Sequence, residues 1–538
     1  MTNRKNLLIL GLILMLGAAL RFYNLNTKNL WYDETSSIAN AMKGFGFVLQ
    51  PIYNYKPLYI FLLKAWIGLF GCAAFVVRLP SVLFGIGSIF LVFKLGEELA
   101  VSQVGLISSF LLSTSCFHIY HSQQARHYSL LFFLSLLSFY YFIMIFKNGY
   151  LKYIVMTLLV NILILFMHPY GFAVILCQFL YNMIFGWKAI EKYTFKKWIF
   201  SQLLLLLGVI VLLCIIIFSK QHLDAILWWA NPPDISNLVE TFKTFCYGGP
   251  RYGLQDININ LPIAVTLLLS VIFGVLFLRG LRVLIKDKTF LNVAGIVNLL
   301  NLWLFLPIAL AFLFSYIYFP VYFIKHFLIC LFPFYLIVAV GLHYKNKLFL
   351  KITVLAIIFL LNSFPLRAMY QNNSGVDWGK AVSSMKQMGI KDDAVIIIST
   401  CKEIIPFMYY FADADKKVFK SIDMFGKFSD DSWQEAFKYK RHYIVTIASE
   451  MILENDKCYI TGKNGSNVQY NSEAIFADFS KKVSQKDILT SDQQIWLLMS
   501  KWSGEEYNLQ AIANMMDRIS TVKFQDEVGG IKIFCFEL

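Results

Sequence analysis

About eleven stretches of this sequence approach the roughly 20 apolar residues that an α-helix needs to cross a bilayer, and no other feature restricts the fold so severely. They lie near 6–22, 79–95, 104–121, 128–146, 153–168, 170–187, 198–218, 260–278, 291–314, 323–342 and 349–365. Lipid offers no partner to backbone N–H and C=O groups, so such segments fold as helices. Composition agrees, since 58% hydrophobic and 15% charged residues over 538 positions do not describe soluble domains. The chain is expected to be a polytopic α-helical membrane protein of about eleven spans. The first span has small residues at Gly17, Ala18 and Ala19 and resembles a signal peptide there. An uncleaved helix is preferred, because Arg21 and a long polar loop follow with no A-x-A site.

Charge divides the chain in two. Residues 1–365 hold 27 of the 48 Lys+Arg and 10 of the 33 Asp+Glu, a net +17, and the remainder nets −2. The basic excess belongs to the apolar part, which fits inner-leaflet anchoring and argues against nucleic acid. With the N-terminus cytoplasmic, inner loops carry Lys147 and Lys152, Lys188 to Lys197, Arg279 to Lys288, and Lys345 to Lys351. The short outer loops carry only Arg126 and Lys325. An odd span count then places residues 366–538 outside the cytoplasm. This plasma-membrane topology gives two expected domains, a transmembrane part (1–365) and an extracytoplasmic α/β part (366–538).

Two outer loops are too long to be turns. The first, about 23–78, contains the apolar run Leu58 to Phe70, too short to span and expected as an interfacial helix together with part of 34–48. The second, about 219–259, contains Trp228, Trp229 and the turn-rich GGPRYG at 248–253. In the tail, β-rich runs at 394–399, 443–447, 495–499 and 531–536 alternate with expected helices near 377–389, 402–411, 431–438 and 507–520. Nine scattered cysteines form no CxxC pair.

Chemistry is confined by a shortage of acids. Of the ten carboxylates in the apolar part, this topology leaves six outside: Asp33, Glu34, Asp224, Asp234, Glu240 and Asp256. Asp33 and Glu34 alone are adjacent, flanked by the interface-seeking Trp31 and Tyr32. A carboxylate there either accepts a proton from a hydroxyl or N-caps a short helix from Glu34 to Met42. Outer cations at Lys56, Arg126, Arg251 and Lys325, the last followed by His326, either hold a phosphate or snorkel to lipid headgroups. His118, His121 and His127 have no acidic ligand nearby, and no metal is expected. Asp413 and Asp415 read as a solvated turn.

Taken together, LRFYNLNTKNLWYDETSS (20–37), YKPLYIFLLKAWIGLFG (55–71), RLPSVLFG (78–85), QARHYSL (124–130) and MHPYGF (167–172) resemble membrane glycosyltransferases of the GT-C fold. These are the relatives of protein O-mannosyltransferases and of the lipid A aminoarabinose transferase. Order and spacing match over about 1–370, and VDW at 376–378 opens a similar α/β tail. The resemblance implies that Asp33 is the catalytic base with Glu34 its acidic neighbour. It also implies that Lys56, before Pro57, contacts the donor phosphate, with Arg126 and Tyr128 as the family's R-x-Y. A late basic-aromatic pair, usually Arg-Tyr, is here Lys325-His326, a departure from the family.

The expected activity is inverting transfer of a sugar from a polyprenyl-phosphate carrier to a hydroxyl acceptor, without cofactor or metal. The outer compartment lacks nucleotide sugars, and a lipid phosphate leaves as a stable anion that needs cations rather than a general acid. A flippase for lipid-linked sugars and a non-catalytic anchor are the competing readings. Duplicated halves and mid-span charges, marks of a transporter, are not apparent.

Overall fold

The computed structural model describes residues 4–48, 56–185, 191–218, 231–248, 261–286, 295–318, 320–371, 376–391, 394–413, 436–439, 442–448, 451–454, 457–461, 467–470, 494–500, 521–528 and 531–537. The chain forms two compact units, one of Met1–Leu25 with Leu49–Asn372 and the other of Asn26–Val48 with Asn373–Leu538. The expected boundary at 365 falls inside the last apolar helix, Leu348–Gln371, and the segment 26–48 groups with the carboxy-terminal unit.

The first unit is helical and makes the chain a polytopic membrane protein. Among the described residues, eight helices are long and apolar enough to cross a membrane. They are Arg4–Phe22, Ala74–Leu99, Tyr128–Asn148, Lys192–Phe218, Ile263–Lys286, Ile296–Ile317, a 3-10 turn Ile324–Cys330 continuing into Leu331–His343, and Leu348–Gln371. The three other expected spans are shorter helices. Ser102–Ser113 breaks before Cys116–Ser122, and Leu151–Leu165 and Gly171–Ile184 are parted by a turn at 166–170. Fifteen and fourteen residues reach about 21–23 Å, less than the roughly 30 Å of hydrocarbon. Pro169 contributes to the break, because it has no N–H and disfavours helical backbone at His168. Residues 114–130 are buried throughout, so this end of the bundle is filled by folded-in chain.

Two devices hold the helices in register. A Cβ on Gly280 would collide with the carbonyl of Ile337, and one on Gly341 with that of Leu276, so Ile263–Lys286 and Leu331–His343 meet backbone to backbone. Three helices share a closed polar ring. Ser138 Oγ donates to Asn161 Oδ1 (2.6 Å), Asn161 Nδ2 to Gln178 Oε1 (2.9 Å), and Gln178 Nε2 to Ser138 Oγ (2.7 Å). The carboxylates Glu97 and Glu98 are paired to Lys94 (2.8 Å) and Lys147 (2.7 Å).

The second unit contains a six-stranded sheet of order β2-β3-β1-β7-β9-β8. Its strands are β1 (Val395–Thr400), β2 (Ala436–Tyr439), β3 (His442–Ala448), β7 (Gln494–Ser500), β8 (Thr521–Val528) and β9 (Ile531–Glu537). Strand β1 runs parallel to β3 and β7, and the outer pairings are antiparallel. Ile495 to Leu498 are all buried, as a strand covered on both faces requires. A separate antiparallel sheet joins β4 (Met451–Glu454), β5 (Lys457–Thr461) and β6 (Asn467–Tyr470). Helices Trp378–Gln387 and Cys401–Phe411 stand where the sequence predicts them. The helix expected near 431–438 is replaced at 436–438 by β2, where edge pairing with β3 overrides local helix preference. The helix expected at 507–520 lies outside the described residues.

Candidate active site

Asp33 and Glu34 belong to the second unit, on the helix Tyr32–Met42. This helix begins two residues earlier than expected. Trp31 occupies the N-cap position in extended backbone (φ −91°, ψ 172°), and both acids lie in the first turn. The N-cap reading of Asp33 is therefore overturned; two first-turn acids suit the partial positive charge of a helix N-terminus. Glu34 takes part in closing that end, its carboxylate accepting from the Trp31 N–H (3.4 Å). Asp33 and Glu34 are 8% and 0% exposed. The Ser37 hydroxyl donates to the Asp33 carbonyl (2.8 Å). The helix packs against Cys401–Phe411, whose Tyr410 hydroxyl accepts from the Leu30 N–H (2.8 Å). The tail thus supplies a wall for the WYDE segment. The VDW motif has its own local task, Asp377 accepting from the Lys380 N–H (2.8 Å) as N-cap of Trp378–Gln387.

Two of the remaining expected outer carboxylates are engaged elsewhere. Asp234 caps the helix Ile235–Tyr247, accepting from the Asn237 N–H (3.2 Å) and the Ser236 hydroxyl (2.5 Å). Glu240 pairs with Lys243 (2.7 Å) on that helix. Asp224 and Asp256 lie outside the described residues, as does Arg251 with its Gly-rich loop.

The predicted cations converge in the first unit. Lys56 precedes Pro57, the first residue of the helix Pro57–Phe70, and the Leu58 N–H donates to the Phe166 carbonyl (3.1 Å). That bond ties the start of the helix to the 166–170 turn. The Arg126 guanidinium carbon lies 5.8 Å from the Tyr128 ring centre, and Lys325 Nζ lies 6.0 Å from the same centre. One phenol ring therefore has two cations as neighbours. Lys56 and Arg126 are 5% and 4% exposed, which does not describe headgroup snorkels. The RLPS motif supports this arrangement. Arg78 donates to the Leu25 carbonyl (2.9 Å), and the Ser81 hydroxyl to the Arg126 carbonyl (3.2 Å).

Histidines complete the cluster. His127 stacks on His168 with ring centres 4.7 Å apart and planes 7° from parallel, and His168 lies 4.5 Å from His326. Tyr170 packs 4.3 Å from His326 and donates its hydroxyl to the Val321 carbonyl. Burial, reinforced by His168, Lys56, Arg126 and His326, holds His127 well below the ordinary imidazole range. Burial, then Lys56, Lys325 and Arg126, do the same at His168. The sequence grouped His127 with His118 and His121, whereas the fold groups it with His168 and His326. The ligand atoms of these three lie within 4.8 Å of one another, a spacing at which a metal ion has to be considered. His118 instead receives the fully buried Arg21 (Nη2 to Nδ1, 2.6 Å), which also donates to the carbonyls of Gly17, Leu112 and Ser113. Sequence reasoning assigned His168 no role. The available signal was that each of the three short outer loops carries a histidine, His127 beside Arg126, His168, and His326 beside Lys325. Asp413, of the DxD, faces solvent beside Lys386 (3.4 Å).

No protein-family model matches this sequence, and no curated protein matches it. The structure is similar to ArnT from Cupriavidus metallidurans in the apo state, with a TM-score of 0.54 and 11% identity over 97% of each chain. It is similar also to ArnT bound to undecaprenyl phosphate, with a TM-score of 0.53 and 10% identity over 97% of each chain. The Archaeoglobus fulgidus oligosaccharyltransferase in the apo form aligns with 76% of this chain and 64% of its own at a TM-score of 0.49 and 12% identity, too distant to contribute. At such identities the likeness is one of fold, and the chain has the GT-C fold.

Proposed function

We propose that the chain is an inverting glycosyltransferase that moves a sugar from a polyprenyl-phosphate carrier to a hydroxyl acceptor on the extracytoplasmic face. The observation that carries this reading is the gathering of Lys56, Arg126 and Lys325, from three separate segments, about His168, with Arg126 and Lys325 also against Tyr128. Cations drawn together in a buried place suit a phosphate anion, and Arg126 can bind it bidentately. Sharing a fold with a protein crystallised with undecaprenyl phosphate supports a lipid-linked donor.

In this reading Asp33 takes the proton of the acceptor hydroxyl as its oxygen bonds the anomeric carbon. The bond from that carbon to the phosphate oxygen breaks, and the polyprenyl phosphate departs as an anion stabilised by Lys56, Arg126 and Lys325. Glu34 orders the helix that carries Asp33. The carboxy-terminal unit faces the extracytoplasmic side, and the N-terminus is cytoplasmic, following the loop charges. Incubation of the purified protein with a panel of polyprenyl-phosphate sugars should release polyprenyl phosphate in the presence of the right acceptor. A flippase would instead move labelled lipid across vesicles, with Asp33 dispensable; that outcome would replace this reading.

A further inference from the structure

Lys56 and Arg126 act on His127, Lys56, Arg126 and Lys325 on His168, and Arg126 and Lys325 on His326, three imidazoles from three different segments. Two chemistries use such a trio, a transition-metal ion or an anion held by N–H donors. The tautomer decides between them. His168 Nδ1 accepts a hydrogen bond from the Tyr170 backbone N–H (3.1 Å), so the neutral ring carries its proton on Nε2. A metal needs a lone pair, and on this ring the only lone pair is already committed to a backbone amide. Three cations in the same neighbourhood repel a metal ion and attract an anion.

A second observation points the same way. His326 is 8% exposed, and its Nδ1 is buried without a hydrogen-bond partner. A polar atom in that condition is costly unless a ligand completes it.

We propose that His168 and His127, with His326, are the neutral hydrogen-bonding wall of a single-phosphate site, His168 presenting Nε2–H to a phosphate oxygen. Any other contact of this N–H is exchanged for the phosphate on binding. The proposal rests on the lipid-phosphate reading above and adds the residues that would contact the anion alongside the three cations. Neutral donors hold the anion without deepening the positive field, so the product phosphate can leave after transfer.

The experiment is binding of undecaprenyl phosphate to the full-length protein in nanodiscs, with undecaprenol, inorganic phosphate and phosphatidylglycerol as separate arms. His168→Phe keeps a flat ring for stacking but has no donor, and His168→Gln loses the ring but places an N–H near the position of Nε2. The expected result is undecaprenyl phosphate weakened about tenfold or more in His168→Phe and within about threefold of the parent in His168→Gln. His127→Phe should weaken it in the same direction. The parent should prefer undecaprenyl phosphate to undecaprenol and to phosphatidylglycerol. Unchanged thermal unfolding in each variant separates contact from folding. If the parent binds undecaprenyl phosphate normally and folded His168→Phe binds it equally well, the inference is overturned while the functional reading stands. Cobalt(II) uptake with a tetrahedral visible spectrum that disappears in His168→Gln would overturn it in favour of a metal site. No preference of the parent for undecaprenyl phosphate over undecaprenol would sink the functional reading itself.

Discussion

Among the described acids expected on the outer side, three have an assigned local role. Asp234 is a helix cap, Glu240 is paired with Lys243, and Glu34 closes the helix start through Trp31. Since Asp33 is not itself the cap, Asp33→Asn should leave the helix Tyr32–Met42 intact. Turnover should fall by at least roughly 10²-fold with donor binding nearly unchanged; transfer at close to the parent rate would remove Asp33 as base. Lys56→Ala and Arg126→Ala should each weaken polyprenyl-phosphate binding by ~1.5–3 kcal/mol, the worth of a hydrogen bond to a charged group. Equal affinity in both variants would return these residues to a packing role. The buried histidines give a pH signature. His127 and His168 are held below their ordinary value of 6.5, so the unfolded chain binds more protons than the folded one as pH falls past that value. Their contribution is fully present above about pH 6.5 and is lost progressively below it, by at most about 1.4 kcal/mol per pH unit per group. Unfolding temperatures in detergent from pH 8 to pH 5 should decline on the acid side. His168→Gln should flatten the slope, and an unchanged slope would contradict the assignment.

At the scale of elements, the bundle is set by close approach and by polar rings more than by apolar area, since lipid is as apolar as leucine. The crossing of Ile263–Lys286 with Leu331–His343 depends on Gly280 and Gly341. Gly341→Val should force these backbones apart and cost about 1–3 kcal/mol in detergent stability. A milder loss in Leu267→Val, at an exposed position on the first of these helices, provides the control. An equal effect of both substitutions would deny the glycine crossing its special place. The Leu331–His343 helix also continues from the 3-10 turn that carries Lys325 and His326. Displacing it should therefore weaken donor binding as well as stability.

At the scale of the whole molecule, the segment 26–48 groups with the carboxy-terminal unit, which changes what truncation should do. A tail that merely admitted acceptors would be dispensable for donor chemistry. A chain ending at 372 instead strips the Asp33 helix of its packing against Cys401–Phe411. We expect it to lose transfer to about the extent of Asp33→Asn while still inserting in the membrane. Retained transfer in the truncated chain would show that the helix holds its place without the tail. Protease added to intact spheroplasts should cleave the tail, and full protection there would invert the proposed topology.

Repeated membrane crossing was readable from the residues alone, because long apolar runs of this number have no other stable home. The sequence also marked the WYDE, KP, RLPS and ARHY segments, because scarce charges in apolar surroundings stand out. Strands β1, β3, β7 and β9 of the tail were legible as the β-rich runs at 394–399, 443–447, 495–499 and 531–536. Helix length was not legible at 104–121, 153–168 and 170–187, where chain turns inward and hydropathy cannot distinguish lipid-facing from protein-facing apolar residues. Nor was β2, whose pairing partner is a strand edge rather than a local pattern. The partners of His127 were beyond the sequence for the same reason. His168 is 41 positions away from His127 and His326 is 199, and proximity over such separations is created only when helices pack. Packing, which no local pattern encodes, put Trp31 rather than Asp33 at the start of the first-loop helix and brought His168, accepting from the Tyr170 N–H, beside His127 and His326.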